Sequence, residues 1–381
     1  MRICSFFPSA TETVFALEMG DSLVGVSHEC NYPPEALNLP KVTKTNIPAG
    51  LTSAEIDRIV SSKLQSSEPL YDLDTELLES LAPDLIITQR LCDVCAVSLD
   101  QIQEAVDRLN CRSRVLSLQS NSLQGILADI SAVAAAVGDP EKGDEVVSRL
   151  KERIDRVARK TRTLRMRPRV FCMEWVDPPY CGGHWMKELV EIAGGEDALS
   201  VLHRPSYRIP WKSVIDFAPD IIVLTCCGYD LERCAREAEL LVRFEGAREI
   251  PALQNGQVFA TDSSAYFARP GPRIVDSLEI LAHILHPTMF AAPPLPKSFL
   301  RLDPARSLLV SSWKTGSVRA SRYQRSCYAD IRFAVCHQGR THMERLQSDK
   351  IPANRGKHRF ASISRWLTHG KERTISFRDM I

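Results

Sequence analysis

The sequence predicts an α/β protein made of two similar lobes joined by one long helix, with a basic tail behind them. Three observations lead there. The segment LAPDLIIT (residues 81–88) joins a helix end, a Pro-Asp turn and an unbroken apolar run. Such a run marks a strand in a parallel sheet covered on both faces. FAPDIIVLTCCGYDLE (residues 217–232) repeats that pattern, and GGHWMKELVEIAGGEDALSV more weakly echoes SATETVFALEMGDSLVGVS. An internal repeat of this kind reads as two related lobes. Between the two copies, DPEKGDEVVSRLKERIDRVARKTRTLRMRP carries Val146, Leu150, Ile154 and Val157 on one helical stripe.

Residues 3–7 form the first strand. Ser9 with Glu12 three positions later makes a capping box for the next helix. Val14, Phe15 and Leu17 give that helix its apolar face, and Gly20 is expected to stop it. A short buried strand at residues 23–26 runs into the polar loop SHECNYPPEA, broken by Pro33 and Pro34. In the connector, Asp139 caps and Pro140 fits the first helical position. Arg and Lys gather in the last turns, as the helix dipole favours, and Pro168 closes the pattern. About 25 residues at about 1.5 Å each make a rod of roughly 40 Å. A helical strut of that length leaves less hinge motion than flexible crossing strands would. The expected domains are a first lobe at 1–138, the linking helix at 139–167, a second lobe at 168–287 and a basic, poorly ordered tail at 288–381.

The 381 residues carry a net charge of +1, which conceals an asymmetry. From Thr288 onward there are 18 Lys and Arg against 6 Asp and Glu, and the preceding residues hold 30 against 41. An acidic body thus precedes a basic tail. The tail lacks a clean basic block or an aromatic-interleaved RNA motif, which argues against nucleic acid as a partner. No apolar run approaches a membrane span. The chain as given opens without an apolar stretch and cleavage site, so a cytoplasmic location is expected, with the twelve cysteines as reduced thiols.

Five ordered motifs carry a family resemblance: FFPSATETVFALEMGDSLVGVSHECNYPPEA, LAPDLIITQRLCDVCAVS, EWVDPPYCGGHWMKELVEIAGG, RIPWKSVIDFAPDIIVL and AYFARPGPRIVDSLEILAHIL. Together, over residues 1–287, they resemble the cobalamin-binding branch of the periplasmic-type iron/vitamin B12 substrate-binding proteins. The resemblance implies two Rossmann-like lobes on one backbone helix, with the ligand in the cleft between them. It implies non-catalytic binding of cobalamin or a related corrinoid and delivery to an ABC importer. The chain otherwise looks like the signal-less members of that family, and a monomer is expected.

A corrinoid is a large, flat, amide-fringed macrocycle, and a site for it needs aromatic walls and a few polar anchors. Loops after strands lie where open α/β sheets bind ligands. The first lobe offers His28, Glu29, Tyr32 and Cys92 there. The second offers Glu174, Trp175, Tyr180, His184, Trp185, Trp211, Tyr229, Tyr266, Phe267, Arg269 and Arg273. The resemblance places an Arg near the ligand at the motif holding Arg273. The aromatic residues also suit plain core packing.

A second set, His28, Cys30, Cys92, Cys95 and His184, offers soft donors for zinc or iron, or one axial ligand for a corrinoid cobalt. Cys92 and Cys95 have zinc-type spacing, but no second CxxC completes a finger. This set defines the alternative reading, a metal-dependent enzyme or metal-handling protein working in the same cleft. A further alternative is an importer component whose start lies upstream. No nucleophile is paired with a base and an orienting residue, and no phosphate-cradling glycine loop appears.

Overall fold

The fold comes from a computed structural model that describes residues 1–66, 68–90, 102–103, 106–107, 113–295 and 297–302. All of them belong to one compact unit, Met1–Gly316. The first lobe is built on a four-stranded parallel sheet of order β2-β1-β5-β6. Its strands are β1 (Ile3–Ser5), β2 (Leu23–Val26), β5 (Leu85–Gln89) and β6 (Arg114–Leu118). Between β2 and β5 the chain makes an excursion. A two-stranded antiparallel ribbon, β3 (Thr43–Thr45) and β4 (Tyr71–Leu73), carries the helix α2 (Ser53–Ser66) between its strands, and α3 (Thr75–Leu81) follows.

The second lobe has a five-stranded sheet of order β11-β10-β9-β7-β8. Its strands β7 (Val170–Trp175), β9 (Ile221–Leu224) and β10 (Val258–Thr261) run parallel, while β8 (Tyr180–Cys181) and β11 (Phe299–Leu302) are antiparallel edges. The two apolar runs read from the sequence are thus β5 and β9, each buried along its length. The strand β11 lies beyond the boundary drawn at residue 287 and pairs with β10 from Thr261–Phe299 to Val258–Leu302. Residues 303–381, most of the expected tail, lie outside the described residues.

Helix α1 (Pro8–Ala16) begins one residue before the expected capping box. Phe7 is its N-cap and Pro8, with its preset backbone angle, takes the first turn. Ser9 does not cap because it already lies inside the helix, and Glu12, instead of closing a box, pairs with Arg273. Gly20 is not the stop either: the chain turns left-handed at Glu18 (φ 62°). Gly20 is needed because a Cβ there would sit 2.4 Å from the Phe15 ring.

The connector is α4 (Leu123–Val137) followed by the strut α5 (Pro140–Thr161). Asp139 accepts a hydrogen bond from the Lys142 amide at 3.0 Å, and Pro140 stands at the first position, as the sequence indicated. The helix has 22 residues, about 33 Å, and ends well before Pro168. It stops where the Thr161 hydroxyl reaches the Ile192 carbonyl at the end of α6 (Met186–Ile192). Val146, Val147, Leu150 and Val157 are buried, each worth roughly 1.5–3 kcal/mol relative to exposure. Gly143 lets α4 and α5 approach closely, since a Cβ there would lie 2.4 Å from that of Ala134.

The last helix, α9 (Ile274–Leu285), packs on both α5 and α6; α7 (Trp211–Phe217) and α8 (Leu231–Leu241) belong to the second lobe. One apolar cluster runs from Ile3 and Val14 through Leu150 and Val157 to Leu189 and Leu278. The lobes therefore share a core along the strut. No described helix is long and apolar enough to cross a membrane.

Candidate functional site

His28, Glu29 and Tyr32 follow β2, Tyr229 follows β9, and Tyr266, Phe267, Arg269 and Arg273 follow β10, whereas Glu174 and Trp175 end β7, Tyr180 lies in β8, His184 and Trp185 follow β8, and Trp211 opens α7. They form three groups.

The first centres on Glu12, whose side chain is 2 % exposed. Arg273, at the start of α9, donates to it from Nε at 2.8 Å and Nη2 at 2.6 Å. The same guanidinium stacks on Tyr32 at 3.8 Å from the ring centre and faces Tyr266 at 5.5 Å. Arg269 approaches Glu12 at 3.8 Å and reaches Asn31 Oδ1 at 3.2 Å and the Glu29 carbonyl at 3.5 Å. Two buried guanidiniums thus face one carboxylate. Burial pushes the Arg269 guanidinium below its ordinary range, and its Nη1 has no hydrogen-bond partner among the described residues. That Nη1 is the atom 3.8 Å from Glu12 Oε1, so Glu12 meets the charge of both guanidiniums. A groove of about 580 Å³ runs beside this group, lined by Glu12, Phe15, Glu18, Asp21, Tyr32 and Arg273.

The second group lies at the end of β7. Trp175 packs on Tyr229 at 5.0 Å between centres, and Arg233 lies over Tyr229 at 4.6 Å. Burial raises the Tyr229 and Tyr180 phenols above their ordinary range, so both stay protonated donors. Helix α2 of the first lobe covers this wall. The Trp175 indole donates to the Ser53 carbonyl at 3.1 Å and Tyr180 donates to Asp57 at 3.1 Å. Arg208 joins Asp57 at 2.6 Å, and Ser53 donates to the buried Glu237 at 2.8 Å.

The third group holds the imidazoles. His28 shares Nδ1 with the Thr43 hydroxyl at 2.8 Å and packs on Tyr71 at 5.5 Å. Burial lowers its pKa, which favours the neutral ring. His184 is also pushed down by burial. It adopts a left-handed backbone (φ 55°) and stacks on Trp185 at 5.4 Å. Its Nδ1 is buried without a hydrogen bond among the described residues. A non-glycine residue at positive φ costs about 1–3 kcal/mol and clusters at functional sites.

Other predicted residues make packing contacts. Trp185 donates to the Phe267 carbonyl at 3.1 Å, and both rings, with Tyr266, belong to the shared core. Trp211, partly buried, stacks on Phe244 at 4.4 Å against the core of the second lobe. Glu174 accepts from the Gly183 amide at 2.7 Å and so holds the β8 turn.

The described soft donors do not converge. Cys30 is buried, with its sulfur on Thr11 and Ser27 at 3.0 and 3.2 Å, and burial pushes its thiol up. The His28 ring turns to Thr43 and Tyr71 instead. Among the described residues no three His, Cys, Asp or Glu side chains are grouped to hold a metal ion. Cys92 and Cys95 lie outside the described residues.

Sequence reasoning missed Glu12 as an ion-pair partner and the whole of α2. Two signals were available: the capping box of Thr52 with Glu55, which opens the helix, and Asp57 and Ser61, four apart on one helix face, both of which Arg208 reaches.

Residues 3–265 match the family model described as periplasmic binding protein. A vitamin B12-binding protein of Vibrio cholerae is 24 % identical over 281 residues, covering 73 % of this chain and 86 % of that one. An uncharacterized ABC transporter substrate-binding lipoprotein of Bacillus subtilis is 24 % identical over 295 residues, covering 76 % and 81 %. Among solved structures, the periplasmic vitamin B12-binding protein of Vibrio cholerae superposes with a TM-score of 0.56 at 23 % identity, covering 74 % and 96 %. The periplasmic heme-binding protein of Roseiflexus sp. RS-1 does so with 0.58 at 21 %, covering 75 % and 98 %. With the match to the family model spanning most of the chain, this protein belongs to the periplasmic binding protein family.

Proposed function

We propose that this chain binds cobalamin or a closely related corrinoid, without catalysis, between its two lobes, and that it serves as the substrate-binding partner of an ABC importer. The observation that carries the reading is the polar-aromatic wall where the second lobe meets α2 of the first. Trp175, Tyr180 and Tyr229 supply flat apolar surface with protonated phenols. Their phenol hydroxyls suit the carbonyl oxygens of an amide fringe. Flat walls with few fixed donors match an uncharged, amide-rimmed macrocycle. The relatives named for vitamin B12 support the same choice. When bound, the corrinoid supplies a cobalt with an exchangeable axial position. His28, neutral and with Nε2 free of hydrogen bonds among the described residues, is the side chain of this chain best suited to approach it.

An absorbance titration with aquocobalamin tests the reading. Wild type is expected to saturate at one equivalent. Trp175→Ala is expected to weaken binding about tenfold or more, on the scale of one aromatic contact, while Trp211→Ala binds like wild type. Saturation unchanged by Trp175→Ala but abolished by Trp211→Ala would place the ligand elsewhere.

A further inference from the structure

We propose that α2 is a lid on the cleft, latched to the second lobe by polar contacts, and that it lifts to admit and release ligand. The inference rests on the binding reading above and adds a gate to the same site. The helix is not part of either main sheet: it is carried on the β3–β4 ribbon as an insertion between β2 and β5. Ser53 alone among its 14 residues is buried. Its other residues are partly buried or exposed, and Val60 packs against the core of the first lobe; a segment with few fully buried side chains opens at low cost.

What holds it are hydrogen bonds from the second lobe. Arg208 Nη2 reaches Asp57 at 2.6 Å and Ser61 at 3.1 Å, and Tyr180 shares Asp57 at 3.1 Å. The Trp175 indole grips the Ser53 carbonyl at 3.1 Å. These donors come from the aromatic wall proposed to meet the ligand. A macrocycle laid against Trp175 and Tyr180 competes with α2 for the same groups, so entry and lid release are one exchange. His28 sits at the root of the ribbon, bonded to Thr43 of β3 and packed on Tyr71 of β4. A ligand contact at His28 is therefore mechanically next to the lid's stalk.

The test is hydrogen exchange on the full chain, paired with stopped-flow binding of aquocobalamin, for wild type, Arg208→Ala and Asp57→Asn. Lys212→Ala serves as control, because it removes a surface pair with Asp216 within α7. Both latch variants are expected to exchange α2 amides about tenfold faster, the scale of one charge-assisted hydrogen bond, with α5 unchanged. Cobalamin association is expected to quicken by a similar factor with dissociation little changed, so that affinity rises with the fraction of unlatched chain. Lys212→Ala should match wild type in both readouts. Unaltered α2 exchange in the latch variants would overturn the lid and leave the binding reading standing. Faster exchange with unaltered association would overturn the lid's role as gate. A wild type that takes up no cobalamin would instead sink the binding reading and the gate with it.

Discussion

The two lobes meet along two seams of opposite character. At α9, the strut and α1 hold the second lobe by a continuous apolar core and by buried charge. Arg153 of the strut bridges Asp276 at 2.5 Å and Glu279 at 2.8 Å, and Glu12 pairs with Arg273. At α2, a helix with one buried residue touches the second lobe through hydrogen bonds. Its main cation, Arg208, is 52 % exposed. The contrast teaches where motion is cheap. Parting the first seam exposes core and strands charge, whereas parting the second exchanges protein hydrogen bonds for water. The strut seam serves as the fixed hinge and α2 as the movable edge.

The sharpest way to break this comparison is at Glu12. Glu12→Ala leaves two buried guanidiniums without their carboxylate and is expected to cost about 3–5 kcal/mol of global stability, measured by urea denaturation. A loss under about 1 kcal/mol would make the α9 seam no stronger than the other. Next comes the strut's own packing. Gly143→Ala puts a Cβ into that of Ala134, with an expected cost of about 1–3 kcal/mol, read as a lower urea midpoint at unchanged slope.

His184 adds a pH signature to the core side, through Trp185. Burial lowers its pKa, so the folded state favours the neutral ring. The stability this contributes is fully present above the ordinary histidine value of 6.5 and is lost as pH falls through the lowered folded value. Wild type is therefore expected to lose stability from pH 7 toward pH 5, and His184→Gln to lose less, in thermal melts across that window. The smallest effect is expected at α2. Arg208→Ala is expected to change global stability by under about 1 kcal/mol, because the pair is solvent-screened. A larger loss would erase the difference between the seams.

How far the sequence foretold this follows the reach of each interaction. The strut was legible because its signals are local: Asp139, Pro140 and the stripe from Val146 to Val157 lie within one helix. The strands β5 and β9 were legible because buried parallel strands are continuously apolar. Ser9 and Glu12 satisfied a local capping rule, but an arginine 261 positions away claimed the carboxylate. Local pattern has no access to such a competitor. The latch on helix α2 escaped notice for a related reason: its partners Tyr180, Arg208 and Glu237 lie 123 to 184 positions downstream. Trp185 and Trp211 carried the right chemistry for a ligand wall, and their neighbours, the shared core for Trp185 and Phe244 for Trp211, were not legible locally. Trp175, on the same composition argument, ended at the seam.

The central claim, a corrinoid between the lobes, is tested most directly by native mass spectrometry of the full chain mixed with equimolar cobalamin and hemin. The account predicts one added corrinoid mass per chain, diminished on Trp175→Ala and kept on Trp211→Ala. A heme adduct in its place, or a bare chain beside free cobalamin, would contradict it.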